Sequence, residues 1–557
     1  MKRTLLWVLL VFSAGQLFAQ ADKDHHFKVV KNLEIFNAIY KHLDLLYVDT
    51  LKADEVIGTA INAMLGSLDP YTEYYPEENT SDLKEMFTGK FAGIGSLVRF
   101  NHQLKNVVIE EPYEHMPAAE AGLRRGDIIL SINDSSMVGK DVSYVSSRLR
   151  GDAGTTIKIK VKRPSTGKTI QYKVTRRTVQ NPSVPFYGMR EGGTGYIQLT
   201  SFNEDCTKDV RRAFIDLKNQ GMKSLVLDLR GNGGGSELEA VRLVNMFIPK
   251  GKLVVSNRGK QKRANHDYLT TVEPIDSVMP LVVLVSGGTA SSSEIVSGAL
   301  QDLDRAVILG MRTYGKGLVQ MPVDLPYNGL LKLTTNKYYI PSGRCIQAVN
   351  YNRGRGGRKE QIADSLTKIF YTANGREVRD GGGITPDVII RPDSLANITY
   401  YLSVLDTTEV MHDFILDYVN SHPKIAPAAE FDLTDAEYEQ FKQRVLASNF
   451  TYDRESEKYL KDLVKLAQFE GYYEDAKEDF ENLKRKLNHN VEKDLDFNKE
   501  QIKQMLTADI VSDYYFQRGT IENSLRYDKQ LKEAIRLLHA PDEYQRILNP
   551  KAATSTK

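Results

Sequence analysis

Three consecutive serines and a lysine between two glycines are the residues whose types and spacing could do chemistry in this sequence. The serines, Ser291–Ser293, follow a β-branched apolar run at Val282–Val285 and a Ser-Gly-Gly turn, and they precede a predicted helix. A serine at such a strand-to-helix turn can expose its hydroxyl beside backbone N–H groups that the helix leaves unpaired. The segment Gly315-Lys316-Gly317 places the lysine where a second backbone can approach closely. Together the two segments predict a Ser–Lys pair of nucleophile and base.

Each segment also has an ordinary structural explanation. A run of serines before a helix is most often a cap, and Gly-Lys-Gly is most often a surface turn or a phosphate contact. The GxxxxGK[ST] spacing of a phosphate-binding loop does not occur here. Of the ten histidines, only His266 falls between His115 and His412, so a Ser-His-Asp triad in this region would have to use His266. That residue lies in the polar stretch Arg263–Asp267, which we predict to be a loop.

The elements that must position the pair alternate between strands and helices over residues 180–395. Strands are predicted at Gly195–Leu199 and Ser224–Leu229, and helices at Cys206–Asn219 and Glu237–Phe247. This alternation predicts an α/β core whose sheet has parallel character. The glycine-rich loop Arg230–Ser236 lacks the G-x-G-x-x-G order of a dinucleotide site. Its glycines could instead turn backbone N–H groups toward a developing oxyanion.

Residues 91–179 predict a small domain of strands with two helices. The first helix, Pro117–Leu123, is stopped by a glycine, and the second covers Asp141–Leu149. The run Ala121–Ile129, Ala-Gly-Leu-x-x-Gly-Asp-Ile-Ile, resembles a PDZ domain. In that fold a peptide would add as a strand beside Ile94–Val98, and loop N–H groups would receive its terminal carboxylate. The alternative is a lone barrel whose glycines are purely structural.

The serine and lysine segments resemble the active site of the carboxy-terminal processing proteases, also called tail-specific proteases. That family has a nucleophilic serine three places before the glutamate of a Ser-x-Ser-Glu cluster, then a lysine and a glutamine at fixed distances. The matching positions here are Ser291, Lys316 and Gln320. The family's Gln-Asp after the nucleophile helix matches Gln301-Asp302, which implies a supporting role for Asp302. One departure is Ser292, where the family often has alanine.

The same resemblance implies further site residues. The family's Arg-x-Asn-x-Gly-Gly loop faces the oxyanion, which here implies the N–H groups of Gly233 and Ser292. An arginine in the Leu-Arg-Gly that follows the second PDZ helix is reported to couple peptide binding to assembly of the active site. Here it is Arg150, and a solvated surface arginine is the alternative. The expected peptide contacts of the PDZ domain are Gly93, Ile94, Gly95 and this arginine.

The implied mechanism needs no cofactor. Ser291 attacks a peptide carbonyl, neutral Lys316 takes its proton, and Gln320 holds the amine without adding a charge. A carboxylate in that place would keep the lysine protonated and oppose catalysis. The sequence contains neither a metal-ligand cluster nor a nucleotide loop, so we expect cleavage to need neither metal nor ATP.

The N-terminus has the pattern of a secretory signal peptide. A basic start at Met1-Lys2-Arg3 is followed by the apolar stretch Leu5–Phe18 and by the small-x-small site Ala19-Gln20-Ala21. The apolar stretch is too short for a comfortable membrane span. We therefore expect an exported, periplasmic protein, with an uncleaved membrane anchor as the alternative.

Composition limits the remaining possibilities. With 41% hydrophobic residues the chain can build buried cores, and a formal net charge of +2 implies no strong attraction to nucleic acid. The basic glycine-rich run Asn352–Lys359 is accordingly predicted to be a surface loop and not an RNA-binding segment. Cys206 and Cys345 are expected to be free thiols, with one bridge between them as the alternative. Among the last residues, the apolar stripe through Leu531 and Leu538 could be a dimer surface, a docking face or core.

The expected fold is multidomain α/β, with a crotonase- and Clp-protease-like core that carries an inserted PDZ domain. The expected domains are a signal peptide (1–21), an N-terminal helical region (22–90), the PDZ domain (91–179), the Ser–Lys protease core (180–395) and a C-terminal helical region (396–557).

These patterns predict an exported serine endopeptidase that binds C-terminal tails of unfolded or precursor proteins and cleaves them with a Ser–Lys dyad. Its expected partners are such substrates, an adaptor protein and further copies of the chain, and not nucleic acid. The alternatives are a non-catalytic PDZ adaptor and an acyl-coenzyme A enzyme of the crotonase type. The first would not need Ser291 or Lys316, and the second would not explain the PDZ domain or the export signal.

Overall fold

The computed structural model describes residues 2–77, 90–180, 182–350, 360–361, 364–487 and 490–550. The chain divides into two compact units. The first includes Met1–Glu77 and Gln320–Thr334, and the second includes Glu78–Val319, Thr335–Arg353 and Arg358–Lys557. The basic run Asn352–Lys359 lies outside the described residues.

The first unit is mainly helical, as predicted. Its elements before the PDZ domain are two helices and one short strand: Lys2–Leu46, Ala53–Gly66 and Glu73–Tyr75. The strand, which helical periodicity does not predict, pairs antiparallel with Leu330–Lys332. The turn before it is built on Asp69, whose carboxylate accepts hydrogen bonds from the N–H groups of Tyr71 and Thr72. The segment Asp69-Pro70 therefore has a structural role, as a turn that follows the second helix.

Residues 90–180 of the second unit form a small antiparallel sheet with two helices. The strands are Ser96–Asn101, Asn106–Pro112, Ile128–Ile132, Ser135–Ser136, Thr156–Lys162 and Thr169–Thr175. The helices are Pro117–Ala121 and Val142–Leu149. Gly122 ends the first with φ of +91°, as the sequence predicts. The Asp141 carboxylate caps the second, which begins one residue later than predicted. A separate strand pair, Lys90–Gly93 with Arg177–Gln180, brings the two ends of this domain together.

A six-stranded sheet is the centre of the second unit. Its strand order is Tyr187–Arg190, Thr194–Gln198, Ser224–Asp228, Leu281–Val285, Val307–Gly310 and Val388–Ile389. The first pair is antiparallel and every later pair is parallel, which confirms the predicted parallel character. Three helices pack in one apolar cluster on one face of the sheet: Cys206–Asn219, Glu237–Asn245 and Ser292–Asp302.

The C-terminal helix Lys529–Leu538 covers the opposite face of the same sheet. Side chains alternate along a strand, so Val282 and Leu284 face this helix while their neighbours face the other cluster. Leu531 and Leu538 of the helix are buried against them. The apolar stripe is therefore core, which decides among its three interpretations.

An antiparallel strand pair contradicts the loop predicted around His266. Leu253–Gly259 pairs with His266–Leu269, and its last residues also pair with Asn336–Tyr339. The connection between these two strands covers residues 260–265 and contains a short helical turn at Lys262–Ala264, so the predicted loop is right up to Asn265 and wrong from His266 on. His266–Leu269 is an edge strand with largely exposed residues, and such a strand has the polar composition of a loop.

The remaining elements are short strands and a helical C-terminal region. The strands are Leu318–Asp324, Leu330–Tyr339, Val349–Asn350, Glu360–Gln361, Ile369–Tyr371 and Glu377–Arg379. The further helices are Asn397–Tyr400, Val410–Ser421, Asp435–Ala447, Glu455–Glu470, Lys477–Leu487, Val491–Phe497, Lys499–Ser524 and Pro541–Leu548, with a π-helical turn at Tyr401–Leu405. No helix in the described ranges is long and apolar enough to cross a membrane. Cys206 and Cys345 are both free thiols, as expected, and burial raises the pKa of each.

Candidate active site

Ser291 lies between the strand Leu281–Val285 and the helix Ser292–Asp302, at the N-terminus of the helix. Its φ of +56° and ψ of −118° form a conformation that costs a non-glycine residue about 1–3 kcal/mol. Every residue of the helix is buried, whereas Ser291 itself is half-buried. A fixed helix thus carries a strained, partly exposed serine at the end where backbone N–H groups lack helical partners.

Lys316 is half-buried in a loop that another segment of the chain approaches closely. A Cβ on Gly315 would lie 2.1 Å from the Cβ of Ala348, and one on Gly317 would lie 2.9 Å from the nitrogen of Gln347. Larger residues would therefore push the two segments apart. The close backbone approach predicted for the Gly-Lys-Gly segment is confirmed.

The carboxylate of Glu294 joins the serine segment to the lysine segment. Its Oε2 accepts hydrogen bonds from the backbone N–H of Ser291 and from that of Lys316, each at 2.9 Å. Its Oε1 accepts from the N–H of Gly315 at 2.8 Å and from the Thr313 hydroxyl at 2.5 Å. The two backbone nitrogens are therefore separated by no more than two hydrogen-bond lengths. The sequence placed Glu294 only as an acidic residue of the first helical turn.

The environment of Glu294 controls its charge. The side chain is fully buried, and this burial raises its pKa to about 7. The hydrogen bonds from Thr313, Lys316, Gly315 and Ser291 act in the opposite direction, because each favours the ionised form. Serine-x-x-glutamate at a helix start is the sequence signal of a capping box, and it could have indicated the backbone contact with Ser291. It could not have indicated the contacts with residues 313–316.

The predicted oxyanion loop packs directly against the serine. A Cβ on Gly234, whose φ is +101°, would lie 2.8 Å from the Cβ of Ser291 and 3.0 Å from the nitrogen of Ser292. The N–H of Gly234 donates to the Asn232 side chain at 2.9 Å. Within the described part of the chain, no group accepts a hydrogen bond from the N–H of Gly233 or of Ser292. These two N–H groups are the pair that the resemblance implied.

Asp302 lies at the other end of the Ser292–Asp302 helix, about 15 Å from its start at 1.5 Å per residue. Its carboxylate accepts hydrogen bonds from the Arg344 guanidinium at 2.8 Å and from the N–H of Ser342 at 2.9 Å. Arg344 is itself only 1% exposed. Asp302 therefore anchors the far end of the helix, and its supporting role in catalysis stays a prediction.

Gln320 is the third residue predicted to take part in catalysis. Gln320 belongs to the first unit, where its side-chain amide donates to the Thr334 hydroxyl at 3.3 Å. Its predicted contact with the lysine amine stays a prediction.

His266 is exposed at the start of its edge strand and stacks edge-on against Tyr268, with ring centroids 4.4 Å apart. No hydrogen bond joins it to Ser291 in the ranges that the structure describes, so the structure gives no support to a Ser-His-Asp triad.

Comparison with known proteins decides the family. The descriptions that match are "Peptidase family S41" at residues 193–353, "PDZ domain" at 108–163 and "Probable PDZ-protease, C-terminal helical domain" at 398–538. A carboxy-terminal-processing protease of Bartonella bacilliformis is 34% identical over 355 residues, which are 62% of this chain and 81% of that protein. The chain belongs to peptidase family S41, with the carboxy-terminal-processing proteases. It is a serine-type peptidase with a PDZ domain and a helical C-terminal region.

Other similar proteins include a bacterial serine protease and a protease of known structure. A probable CtpA-like serine protease of Staphylococcus aureus is 33% identical, over 60% of this chain and 65% of that protein. Among solved structures, the photosystem II D1 C-terminal processing protease is 28% identical over 64% of this chain and 87% of that chain, with a TM-score of 0.35.

The PDZ domain of this peptidase has an open sheet edge. Ser96–Asn101 is the terminal strand of its sheet, and among the described residues it pairs only with Asn106–Pro112. Val98 on this strand packs in one cluster with Val145 and Leu149 of the neighbouring helix. Such an edge beside a helix is the place where a peptide can add as a strand.

Three of the four residues predicted as peptide contacts precede this edge strand. Gly93 ends the strand Lys90–Gly93. Ile94 is 3% exposed, and its carbonyl accepts a hydrogen bond from the N–H of Ala118 at 2.8 Å. Gly95 has φ of +69°, and a Cβ there would lie 2.4 Å from that of Met116. The backbone that leads into the edge strand is thus fixed by the PDZ core, while its contact with a peptide stays a prediction.

Arg150 contacts the strand pair that joins the PDZ domain to the rest of the second unit. It lies just after the helix Val142–Leu149, and its guanidinium carbon lies 4.7 Å from the ring centroid of Phe91. Phe91 belongs to the strand Lys90–Gly93, which pairs with Arg177–Gln180. This stacking is a cation–π contact with the connecting strands.

A buried group of charges joins the PDZ domain to the C-terminal helices. Arg99 pairs with Glu409 at 2.6 Å, and Arg125 pairs with Glu110 at 3.2 Å and with Asp513 at 3.1 Å. A cavity of about 210 Å³ lies beside them. Burial raises the pKa of Asp513 to about 7 and that of Asp509 to about 6. We call these residues the interdomain charge cluster: Arg99, Glu110, Glu111, Arg125, Glu409, His412, Asp509 and Asp513. Sequence analysis did not find it, because its members come from segments far apart in the chain.

Proposed function

We propose that this peptidase is an exported endopeptidase that cleaves proteins near their C-terminal tails with a Ser291–Lys316 dyad. Ser291 attacks the peptide carbonyl, and the neutral amine of Lys316 receives the hydroxyl proton. Gln320 holds the amine without adding a charge. The developing oxyanion is stabilised by the N–H groups of Gly233 and Ser292.

The observation that carries the dyad is the shared carboxylate oxygen of Glu294. It accepts from the backbone N–H of Ser291 and of Lys316 at the same distance, 2.9 Å. Residues far apart in sequence are therefore held by one buried atom. A serine that merely capped a helix would not require a lysine loop fixed to the same carboxylate.

The open edge of Ser96–Asn101 supports recognition of C-terminal tails. A substrate tail would pair with this strand, beside the helix Val142–Leu149. The peptidase family and the PDZ domain together favour peptide or protein substrates over acyl-coenzyme A. A purely adaptor function is disfavoured by the same family membership.

Substitution of the dyad tests the proposal. Ser291→Ala and Lys316→Ala should each abolish cleavage of casein while thermal unfolding stays close to that of the parent chain. Lys316→Arg should be equally inactive, because a guanidinium does not lose its proton in this pH range. A matched control is Lys337→Ala, an exposed lysine of the strand Leu330–Tyr339, which should leave cleavage unchanged.

Two outcomes would contradict the dyad. Full activity in either alanine variant would place the active site elsewhere. Loss of wild-type activity with EDTA would point to a metal-dependent reaction, since no metal takes part in the proposed steps. Within the described residues no group of three or more His, Cys, Asp and Glu could hold a metal ion.

Export to the periplasm, binding of an adaptor and assembly into a homo-oligomer belong to the same proposal. The export signal at residues 1–21 is supported by its basic start, apolar stretch and small-x-small site. Mass measurement of the secreted chain would show whether it begins after Ala21. A mass that retains the apolar stretch would favour the membrane-anchored alternative.

A further inference from the structure

Tyr338 contacts the backbones of both dyad residues from a third segment of the chain. It lies on the strand Leu330–Tyr339 and is 1% exposed. Its hydroxyl lies 3.1 Å from the carbonyl oxygen of Ser291 and also hydrogen-bonds to the carbonyl oxygen of Lys316. Its own N–H donates to the carbonyl of Gly317 at 3.1 Å. One buried side chain thus reaches the carbonyls of the two residues whose N–H groups Glu294 holds.

The Tyr338 hydroxyl matters more to the carbonyl of Lys316 than to that of Ser291. The carbonyl of Ser291 already accepts from the N–H of Glu294 at 2.7 Å and from that of Ile295 at 3.0 Å. A phenol has one proton to donate, and the Ser291 carbonyl already has these two donors. The main effect of the hydroxyl is therefore to orient the peptide group of the lysine.

The lysine segment needs such an external restraint. Gly315 and Gly317 on either side of Lys316 restrict the backbone less than any other residue would. Proton transfer from Ser291 to Lys316 nevertheless requires the reacting atoms to stay close to hydrogen-bond distance. A misplacement of about 1 Å can cost about a hundredfold in rate. Bonds to Gln347 and Ala348 hold the two glycines, and the side chains of Glu294 and Tyr338 hold the N–H and the carbonyl of Lys316 itself.

We propose that Tyr338 is a positioning residue, whose hydroxyl holds the peptide group of Lys316 in register with Ser291. This inference rests on the proposed Ser–Lys function. The alternative is a purely structural tyrosine that only satisfies buried carbonyl groups, as buried tyrosines generally do. A structural tyrosine would affect stability and leave the chemistry of the folded enzyme unchanged.

Tyr338→Phe separates the two roles, because it keeps the ring in the apolar cluster and removes the hydroxyl alone. We expect kcat on casein to fall about tenfold to a hundredfold while KM stays within about twofold. The rate at which a fluorophosphonate labels Ser291 should fall by a similar factor, since labelling needs the same activated hydroxyl. The kcat and the labelling rate are measured on the full chain from pH 6 to about 9.5. In the variant both should still rise with pH as the lysine loses its proton, but from lower values.

Tyr544→Phe is the matched control. Tyr544 is also buried, and its hydroxyl hydrogen-bonds to the backbone of Leu281 at 3.0 Å, at the opposite end of the strand that leads to the serine. This variant should lose a similar amount of stability and keep its kcat and labelling rate. If Tyr338→Phe fails to fold, Tyr338→Met replaces it, because a flexible thioether side chain can fill the same space.

The possible results separate this inference from the function on which it rests. Activity in Ser291→Ala would contradict the proposed dyad, whatever the effect of the Tyr338 substitution. An inactive Ser291→Ala together with an unchanged kcat and labelling rate in Tyr338→Phe would overturn the positioning role alone. Failure of both Tyr338 variants to fold, with Tyr544→Phe folded, would make Tyr338 structural and would also overturn it.

Discussion

At the scale of single residues, the candidate site is organised around one buried carboxylate. Glu294 accepts four hydrogen bonds, and two of them come from the backbones of Ser291 and Lys316. Only the ionised form can accept all four, because a protonated carboxyl turns one of its oxygens into a donor. The charge of Glu294 should therefore control how well the two segments are held together.

Glu294→Gln should lower kcat/KM about a hundredfold, because the amide group turns N–H donors toward the N–H donors of the site. The measurement is cleavage of casein against pH. Glu237→Gln is the control, since Glu237 is a half-buried glutamate whose pKa is also raised by burial, and an amide oxygen there can still accept the hydrogen bond from Asn257. Unchanged activity in Glu294→Gln would show that the shared carboxylate does not position the dyad.

The pH dependence of the wild-type enzyme follows from the same carboxylate. The pKa of Glu294 is raised to about 7, so this group favours the folded state below its ordinary pKa and loses that contribution as pH rises toward 7. Activity should change in the opposite direction, because the dyad needs ionised Glu294 and neutral Lys316. Cleavage should therefore rise through neutrality. A rate that peaks below about pH 6 would exclude this dyad.

At the scale of elements, Arg150 connects the PDZ helix Val142–Leu149 to the strand that leads into the domain. The resemblance implied that this arginine couples peptide binding to assembly of the active site, and the structure shows that it contacts Phe91 of the connecting strand. A stacked guanidinium there would stiffen the junction between the PDZ domain and the rest of the second unit. Peptide binding could then shift an equilibrium between inactive and active arrangements.

Arg150→Ala should reduce turnover of substrates with a free tail about twofold to thirtyfold, the factor that a lost cation–π contact of about 0.5–2 kcal/mol represents. Binding of a tail peptide to the full chain, measured by fluorescence anisotropy in the inactive Ser291→Ala background, should stay nearly unchanged. Arg148→Ala is the control, because Arg148 stacks on Tyr144 of the same helix. Turnover that is unchanged, or that falls only with affinity, would leave Arg150 as a surface arginine.

At the scale of the whole molecule, the interdomain charge cluster ties the PDZ domain to the C-terminal helices within the second unit. Arg125, which is 7% exposed, pairs with Glu110 of its own domain and with Asp513 across the interface. Burial, opposed by Arg125 and reinforced by the carboxylates of Glu110, Asp509 and Glu111, raises the pKa of Asp513 to about 7. Ionisation of this carboxyl near neutral pH therefore places excess negative charge in a buried interface.

Asp513→Asn should stabilise the enzyme at pH 8 and leave it nearly unchanged at pH 5. A carboxyl with a raised pKa contributes stability below its ordinary value, and this contribution is lost as pH rises toward 7. The wild-type unfolding temperature should thus decline by a few degrees between these pH values, and the variant should decline less. Glu500→Gln, an exposed substitution on the same helix, should keep the wild-type decline. An equal decline in the Asp513 variant would show that this group does not titrate in the interface.

The sequence by itself determined those features that depend on neighbouring residues. Caps, glycine turns and apolar periodicity predicted the helix Cys206–Asn219 with its observed bounds and both PDZ helices to within two residues at their ends. They also placed Ser291 at a strand-to-helix turn, because the serine run and the preceding apolar strand are local signals. The parallel sheet followed from the alternation of such local elements.

Tertiary structure decided what depends on residues far apart in the chain. The sequence could not show that Glu294 and Tyr338 both reach Ser291 and Lys316, since these contacts arise only when three separate segments pack together. It could not choose core over docking face for the stripe through Leu531, because a buried and an exposed apolar stripe have the same periodicity. An edge strand near His266 was predicted as a loop because pairing, not polarity, makes it a strand.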